Sequence, residues 1–541
     1  MPVSKDLIEL AEEQFGALSH ADEAFFIGIS NEGLVNYQSE FSEENLLVNA
    51  LKWDAGRVLS ASRINWICKN AAAREFITHI GVCIIGARIE EKLDLEFLTL
   101  PFPLLFHQCF IKEDINLFSL ETKTINFGGS FVKAITADGL IVHGDLTMNN
   151  GFKSNGEVRL LGASIENDLN CQSGSFNANN THALSADGIK VQGSVFMDKC
   201  TVYGGEAEFL GAEVGGNIGC EKAKFFNEEG IALNIGGAKV KGSVHLRNGF
   251  EARGEVRLVG ADICNSLECN GGIFHNNNGY AICADVCRIG GNAYLRNDFS
   301  AAGKVSFATA IINRIFSWSK VKAPEKCILD LRNTKIGFLW DDKESWPGKG
   351  NLLIDGLKYD GLDVHAPKDA KNRIEWLHRQ PDDNFYAQPF EQLASVLEKG
   401  GYAKDAERIR IQKNMDLVKS GKVPLISKLG NYFFRYTICY GYRVWPVFVY
   451  MASIIAVGWI LFGIAANEKM IASSQAAPPP FSALVYSIDE FIPLVNLHIG
   501  ENYFPDCGFL YGYLCIHILL GWILTSLLIA GLTRHIRKKE I

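Results

Sequence analysis

Several motifs are missing from this 541-residue chain, and each absence removes a class of chemistry. There is no Walker-type phosphate loop, no GxSxG elbow, no HExxH pair and no GxGxxG that follows a strand and opens a helix. P-loop nucleotide hydrolysis, α/β-hydrolase catalysis, zincin-type metal chemistry and dinucleotide binding therefore have no sequence support. The 14 cysteines form no CxxC pair. Together with their spacing this gives no disulfide framework, and a reducing, cytosolic setting is the simpler reading for residues 1 to about 440. Long basic runs are also lacking and the net charge is −8, so no nucleic-acid partner is expected. The first thirty residues are polar and acidic, with no basic start followed by an apolar core, and no cleavable signal peptide is expected. Disorder is excluded by a hydrophobic content of 48% with 21% charged residues. The length calls for two to four domains.

What is present is a repeat. Gly156, Gly205, Gly254 and Gly303 lie 49 residues apart, and each opens a copy of one pattern. The first three read GEVRLLGASIENDLNCQSGSF, GEAEFLGAEVGGNIGCEKAKF and GEVRLVGADICNSLECNGGIF; the fourth, GKVSFATAIINRIF, is a decayed version. A second half-unit recurs from Ala134, Ala183, Ala232 and Ala281. Within a unit the apolar positions alternate: Val158, Leu160, Ala163, Ile165, Leu169 and Phe176 recur 49 and 98 residues later. Short period-2 runs cut by Gly and Asn mean short strands and sharp corners. No 3.6-period run interrupts them, so a solenoid is expected, two coils of about 24 residues per unit. The fold class is thus mainly β, a parallel β-helix, right-handed because most such crossovers are.

Coil spacing makes a prediction about Cys171, Cys220 and Cys269, which share one repeat position. Equivalent residues two coils apart are separated by ~9.6 Å. That is too far for a disulfide, and too far to share one zinc ion. They form a packing column, and no metal or cofactor site is expected. Cys283 and Cys287 are closer in sequence, with one expected to face in and one out. Asp138, Asp187 and Asp285 follow alanine at a coil corner and read as turn-capping residues bonded to their own backbone. Glu157 with Arg159, and Glu255 with Arg257, read as solvated salt-bridge ladders.

The predicted organisation is a helical region over 1–77, the β-helix over 78–365, a helical hairpin over 366–425 and a membrane region over 426–541. Ser4 is the expected N-cap of a helix over 4–18, and 46–77 reads as one or two helices. Helices over 388–401 and 402–421 form the hairpin, and both flanks are expected to cap the rod, whose open ends would otherwise aggregate. Residues 444–466 carry no charge, and 509–532 hold only His517 as an ionisable group. Both suffice to span about 30 Å of hydrocarbon. Lys428, Arg435 and Arg443 precede the first span; Arg534, Arg537, Lys538 and Lys539 follow the second. The connection, 467–508, holds Glu468, Asp489, Glu490, Glu501 and Asp506 against Lys469 alone. The positive-inside rule then places both termini and the β-helix in the cytoplasm. The apolar segment in that connection is too short to span: it lies flat as an interfacial helix or dips back to line a pore. Asp489, Glu490, Asn496, His498 and Glu501 are the candidate pore or loop residues, and His517 is a candidate titrating group within the second span.

The strings IIGARIEEKLDL, LLIDGLKYDGL, QPFEQLASVLEKGGYAKDAERI and LVYSIDEFIPLVNL, with the GEVRLLGA units, resemble bacterial pentapeptide-repeat-like membrane proteins over nearly the whole chain. The resemblance implies a β-helix tethered to the bacterial inner membrane. Proteins of this kind often carry the name "membrane-associated oxidoreductase", but no catalytic residue carries over, because no motif here matches one. The leading expectation is a non-enzymatic scaffold whose β-helix face binds a protein partner. The alternatives are an oligomeric two-span channel or membrane effector gated by that β-helix, and an oxidoreductase. The expected partners are the lipid bilayer, a protein on the β-helix face and further copies of the chain.

Overall fold

The structure is a computed structural model that describes residues 6–178, 182–420, 424–466, 470–472, 480–506 and 508–537. Ser4, Glu468, Lys469, Lys538 and Lys539 lie outside the described residues. The chain divides into two units, Met1–Ala403 and Lys404–Ile541.

The first unit is a parallel β-solenoid of about 12 turns. Its strands are mostly two or three residues long and stack in parallel register into four files, which merge as one 22-stranded and one 19-stranded sheet. The period of 49 arises from two unequal coils. Ile135 pairs with Val158, Val158 with Leu184, Leu184 with Ala207 and Ala207 with Leu233, so steps of 23 and 26 residues alternate. Every inward position read from the alternation is buried in all three copies, from Val158 through Phe274, with at most 2% exposure. Rings stack along the interior: Phe225, Phe250, Phe274, Phe299 and Trp318 follow one another at centroid distances of 5.3–5.6 Å. Gly254 and Gly303 both sit at φ 117°, where a β-carbon would strike the carbonyl of Asn227 or Asn276 in the preceding coil.

The cysteine file is built as the spacing required. Cys171, Met197, Cys220, Leu246, Cys269 and Leu295 succeed one another on adjacent coils, all buried. A methionine or leucine therefore separates each aligned pair of thiols, and every described cysteine is free. Burial pushes the thiols of Cys171, Cys220 and Cys269 far above the usual range. Cys283 and Cys287 are both buried; Cys283 follows the inward Ile282 and shares its register position with Arg257.

The aspartates at the corners bond the next coil, not their own backbone: Leu161, Leu210 and Ala308 donate their N–H to Asp138, Asp187 and Asp285. Glu255 does pair with Arg257, at 2.7 Å, but Arg159 turns to Asp138, and Glu157 accepts from Ser185 instead. Helix α1 (Leu7–Phe15) is capped by Asp6, whose carboxylate accepts the Glu9 N–H, and ends at Gly16. Parallel pairing also begins earlier than the repeats suggest. Leu34–Asn36 pairs with Cys83–Ile85 and Val58–Ser60 with Arg88–Glu90; both early strands follow α2 (His20–Asn31) and precede α3 (Ala61–Lys69) and α4 (Ala71–Arg74).

At the other end of the solenoid, α5 (Ala370–Leu377) carries Arg373, which is fully buried and makes a bidentate pair with Asp341 at 2.7 and 2.8 Å. Helix α6 (Gln388–Lys399) turns two glutamines onto the last strands: Gln388 donates to the Leu357 carbonyl and accepts from Gly356 N–H, and Gln392 donates to the Tyr359 carbonyl. These bonds occupy edge groups that would otherwise be open to another strand.

The second unit is helical: α7 begins at the boundary (Ala403–Lys419), then come α8 (Leu425–Ile438), α9 (Trp445–Ala465), α10 (Ala483–Phe491) and α11 (Gly508–Arg537). Residues 445–465 and 508–533 are long and apolar enough to cross a membrane. Only 22% and 33% of their most apolar stretches are buried, which leaves a large apolar surface exposed. Trp459, Ile464, Leu519 and Trp522 are all more than half exposed.

Candidate functional site

The short helix α10 does not stand apart. It packs between α9 and α11, and two glycines make room for it. A β-carbon on Gly458 of α9 would collide with Ser487, and one on Gly521 of α11 would collide with the Phe491 carbonyl. At its start, Ala483 meets Gly463 near the end of α9; at its far end, Phe491 packs with Val447, Met451 and Leu524. Helix α10 thus runs antiparallel to α9, over ~13 Å for its nine residues. The chain then turns back. Ile499 rejoins Phe462, Ala465, Leu510 and Leu514 beside the start of α10. Residues 483–500 therefore form a hairpin that goes down the groove between the two apolar helices and returns. Its base is tied by the antiparallel pairing of Met470–Ala472 with Tyr503–Pro505.

Asp489 is the clamp of this hairpin. Its carboxylate accepts the N–H groups of Leu497, Ile499 and Gly500 at 2.5, 3.0 and 2.8 Å. Successive amides aimed at one anion form a backbone nest, and here the anion is the chain's own side chain. Glu490 lies against Gly500, where a β-carbon would strike its carboxylate. Asn496, His498 and Glu501 are exposed together on the returning arm: Asn496 donates to Glu501 at 3.2 Å, and the His498 ring lies 3.7 Å from the same carboxylate. His517 is elsewhere. It is fully buried on α11, bonded to the Ser487 carbonyl at 3.0 Å and flanked by the Tyr513 hydroxyl and the Phe462 and Phe491 rings. The six sequence candidates thus divide into an acidic clamp (Asp489, Glu490), an exposed arm (Asn496, His498, Glu501) and a packing residue (His517).

Sequence reasoning missed Ser487, Gly458 and Gly521. Ser487 donates to the Ile455 carbonyl and so binds α10 to α9 as well as to α11. One signal was available: Leu510, Leu514, His517, Gly521 and Leu524 recur at steps of 4, 3, 4 and 3, marking the face of α11 turned inward. The tip of the hairpin is different. Residues 494–498 are five consecutive exposed positions, and among them Leu494 is 74% exposed.

The chain matches no protein-family model, no curated protein and no solved structure. The reading of this site therefore rests on its own geometry.

Proposed function

We propose that the chain is an integral membrane protein whose C-terminal unit assembles with further copies into a closed ring around a cation path. The observation that carries this reading is the hairpin: a short helix that enters the groove between two membrane-length helices and returns, held by Asp489. Non-helical backbone at membrane depth is tolerated only where protein or a water-filled cavity surrounds it. The tip, 494–498, is non-helical and exposed; with α9 and α11 spanning the bilayer it becomes such backbone, and a ring of copies gives it a lumen to line. Cyclic symmetry would repeat Glu501 around the axis as a ring of carboxylates, which favours cations.

In this reading α9 and α11 are the two spans of a bacterial inner-membrane protein, with both termini in the cytoplasm. Arg435 and Arg443 before α9 support that orientation. The solenoid, taken as right-handed and capped by its flanking helices, is the cytoplasmic scaffold that binds a protein partner and biases the ring. The likeness to pentapeptide-repeat-like membrane proteins agrees with this layout, and no observation favours the oxidoreductase alternative.

Purified full-length chain in planar bilayers tests the proposal. Cation-selective conductance is expected, with Glu501→Gln shifting the reversal potential toward non-selectivity. Gly521→Leu is expected to abolish current by expelling α10 from its groove. Electrically silent bilayers from correctly folded protein, or a monomer in lipid nanodiscs, would refute it.

A further inference from the structure

One of the solenoid's departures from its own repeat brings three ligand-type side chains together. His182, Glu206 and Glu208 lie on neighbouring coils with one potential donor atom each, all within 4.8 Å of one another. His182 Nε2 is 3.2 Å from a Glu208 oxygen. The repeat shows what normally stands there. Forty-nine residues on, His182, Glu206 and Glu208 become Ile231, Glu255 and Arg257; a further 49 on, they become Tyr280, Lys304 and Ser306. In those copies the charges are balanced: Arg257 pairs with Glu255 at 2.7 Å, and Lys304 with Asp330 at 2.8 Å. In the 206–208 coil a second glutamate replaces the arginine, and an imidazole replaces the aliphatic side chain.

The result is a carboxylate pair with no full cation of its own. Oε1 of Glu206 is buried and has no hydrogen-bond partner among the described residues. Arg257, whose charge reaches Glu206, is committed to Glu255. Glu208 accepts from Asn234 at 3.2 Å and also feels the Asp187 carboxylate. Burial first, and then the neighbouring carboxylate, raise the pKa of both glutamates. An orphaned buried carboxylate oxygen is costly, and a divalent ion would satisfy it. The site also opens to solvent: the His182 side chain is 37% exposed and that of Glu208 16%.

We infer that His182, Glu206 and Glu208 form a binding site for one divalent transition-metal ion of the Zn²⁺ class. One imidazole and two carboxylates are the N/O donor set such ions prefer, and three protein ligands leave a coordination position open. Ligands at about 2.1 Å from a tetrahedral ion lie about 3.4 Å apart, so separations of up to 4.8 Å must close by up to about 1.4 Å, within side-chain movement. These ligands are 24 and 2 residues apart in sequence, and coil stacking alone brings them together.

The test uses the full-length chain in detergent, stripped of metal, with Zn²⁺ and Co²⁺ as probes. One equivalent of Zn²⁺ is expected to bind, displaced by chelator, and Co²⁺ is expected to give visible d–d absorbance without thiolate charge-transfer bands. His182→Ile and Glu208→Arg install residues the repeat itself uses at these positions, so both variants are expected to fold. Each is expected to weaken Zn²⁺ binding by more than about tenfold, the scale that even outer-shell substitutions reach. Zn²⁺ should raise the melting temperature of the wild type but not of Glu208→Arg. Absence of stoichiometric uptake by the wild type would overturn the inference. So would uptake unchanged in both variants, or Co²⁺ spectra showing thiolate ligation.

Discussion

In the solenoid, apolar side chains fill the interior of every coil and most charged ones stand outside; in the C-terminal unit many large apolar side chains, Trp459 and Trp522 among them, lie outside, while Ser487, His517 and Thr525 are buried. The solenoid excludes water by stacking like on like, through files such as Phe225 to Trp318. The C-terminal unit gains its internal contacts by removing side chains, at Gly458 and Gly521, so that backbone approaches closely. One unit carries its own apolar interior. The other leaves much of its apolar surface for something else to cover.

That contrast is testable from its strongest point downward. Arg373→Ala is expected to be the most damaging single change, costing the solenoid about 3–5 kcal/mol by leaving Asp341 buried and unpaired. Thermal unfolding followed by far-UV circular dichroism checks it, and a loss below 1 kcal/mol would mean the pair is not buried in solution. Asp489→Ala comes next and belongs to the other unit. It strands three backbone N–H groups at about 1–3 kcal/mol each where they are buried. Proteolysis of the 492–500 segment should accelerate while the solenoid melt stays put. If both units melt earlier, they are not the independent systems described here.

Cys220→Ser should cost about 1–3 kcal/mol, because a hydroxyl replaces a thiol between Met197 and Leu246. Cys264→Ser, at an exposed thiol, should cost almost nothing. Thiol labelling at pH 8 should likewise reach Cys264 well before any other solenoid cysteine. The smallest effect is electrostatic. His143 bonds Glu121 and Glu166, and those bonds raise its pKa. A raised folded pKa contributes stability below the unfolded value of about 6.5, which is lost as pH rises through the folded value. The wild-type melting temperature should therefore fall slightly across that window, and His143→Ala should flatten the slope.

Much of the solenoid could be read in the sequence because stacking turns position into recurrence. Val158, Val256 and Cys171 declare their burial by returning every 49 residues. The corner aspartates declared their place but not their partner, since nothing local reveals which coil lies above. Leu34–Asn36 and Val58–Ser60 were illegible as strands because three residues carry no period. The hairpin was only half legible. Its acidic and polar residues stood out against apolar spans, but its depth depends on two isolated glycines, and single glycines in an apolar helix have many uses. The His182 cluster escaped entirely, since only the fold makes residues on consecutive coils neighbours.

The unequal coils have one more consequence. Within the repeats a 23-residue winding meets a 26-residue one, so there the smallest segment that can be inserted or removed without bringing two alike together is the pair. The repeat region is therefore a ruler graduated in steps of ~10 Å, and evolution or a designer changes its reach by whole 49-residue marks.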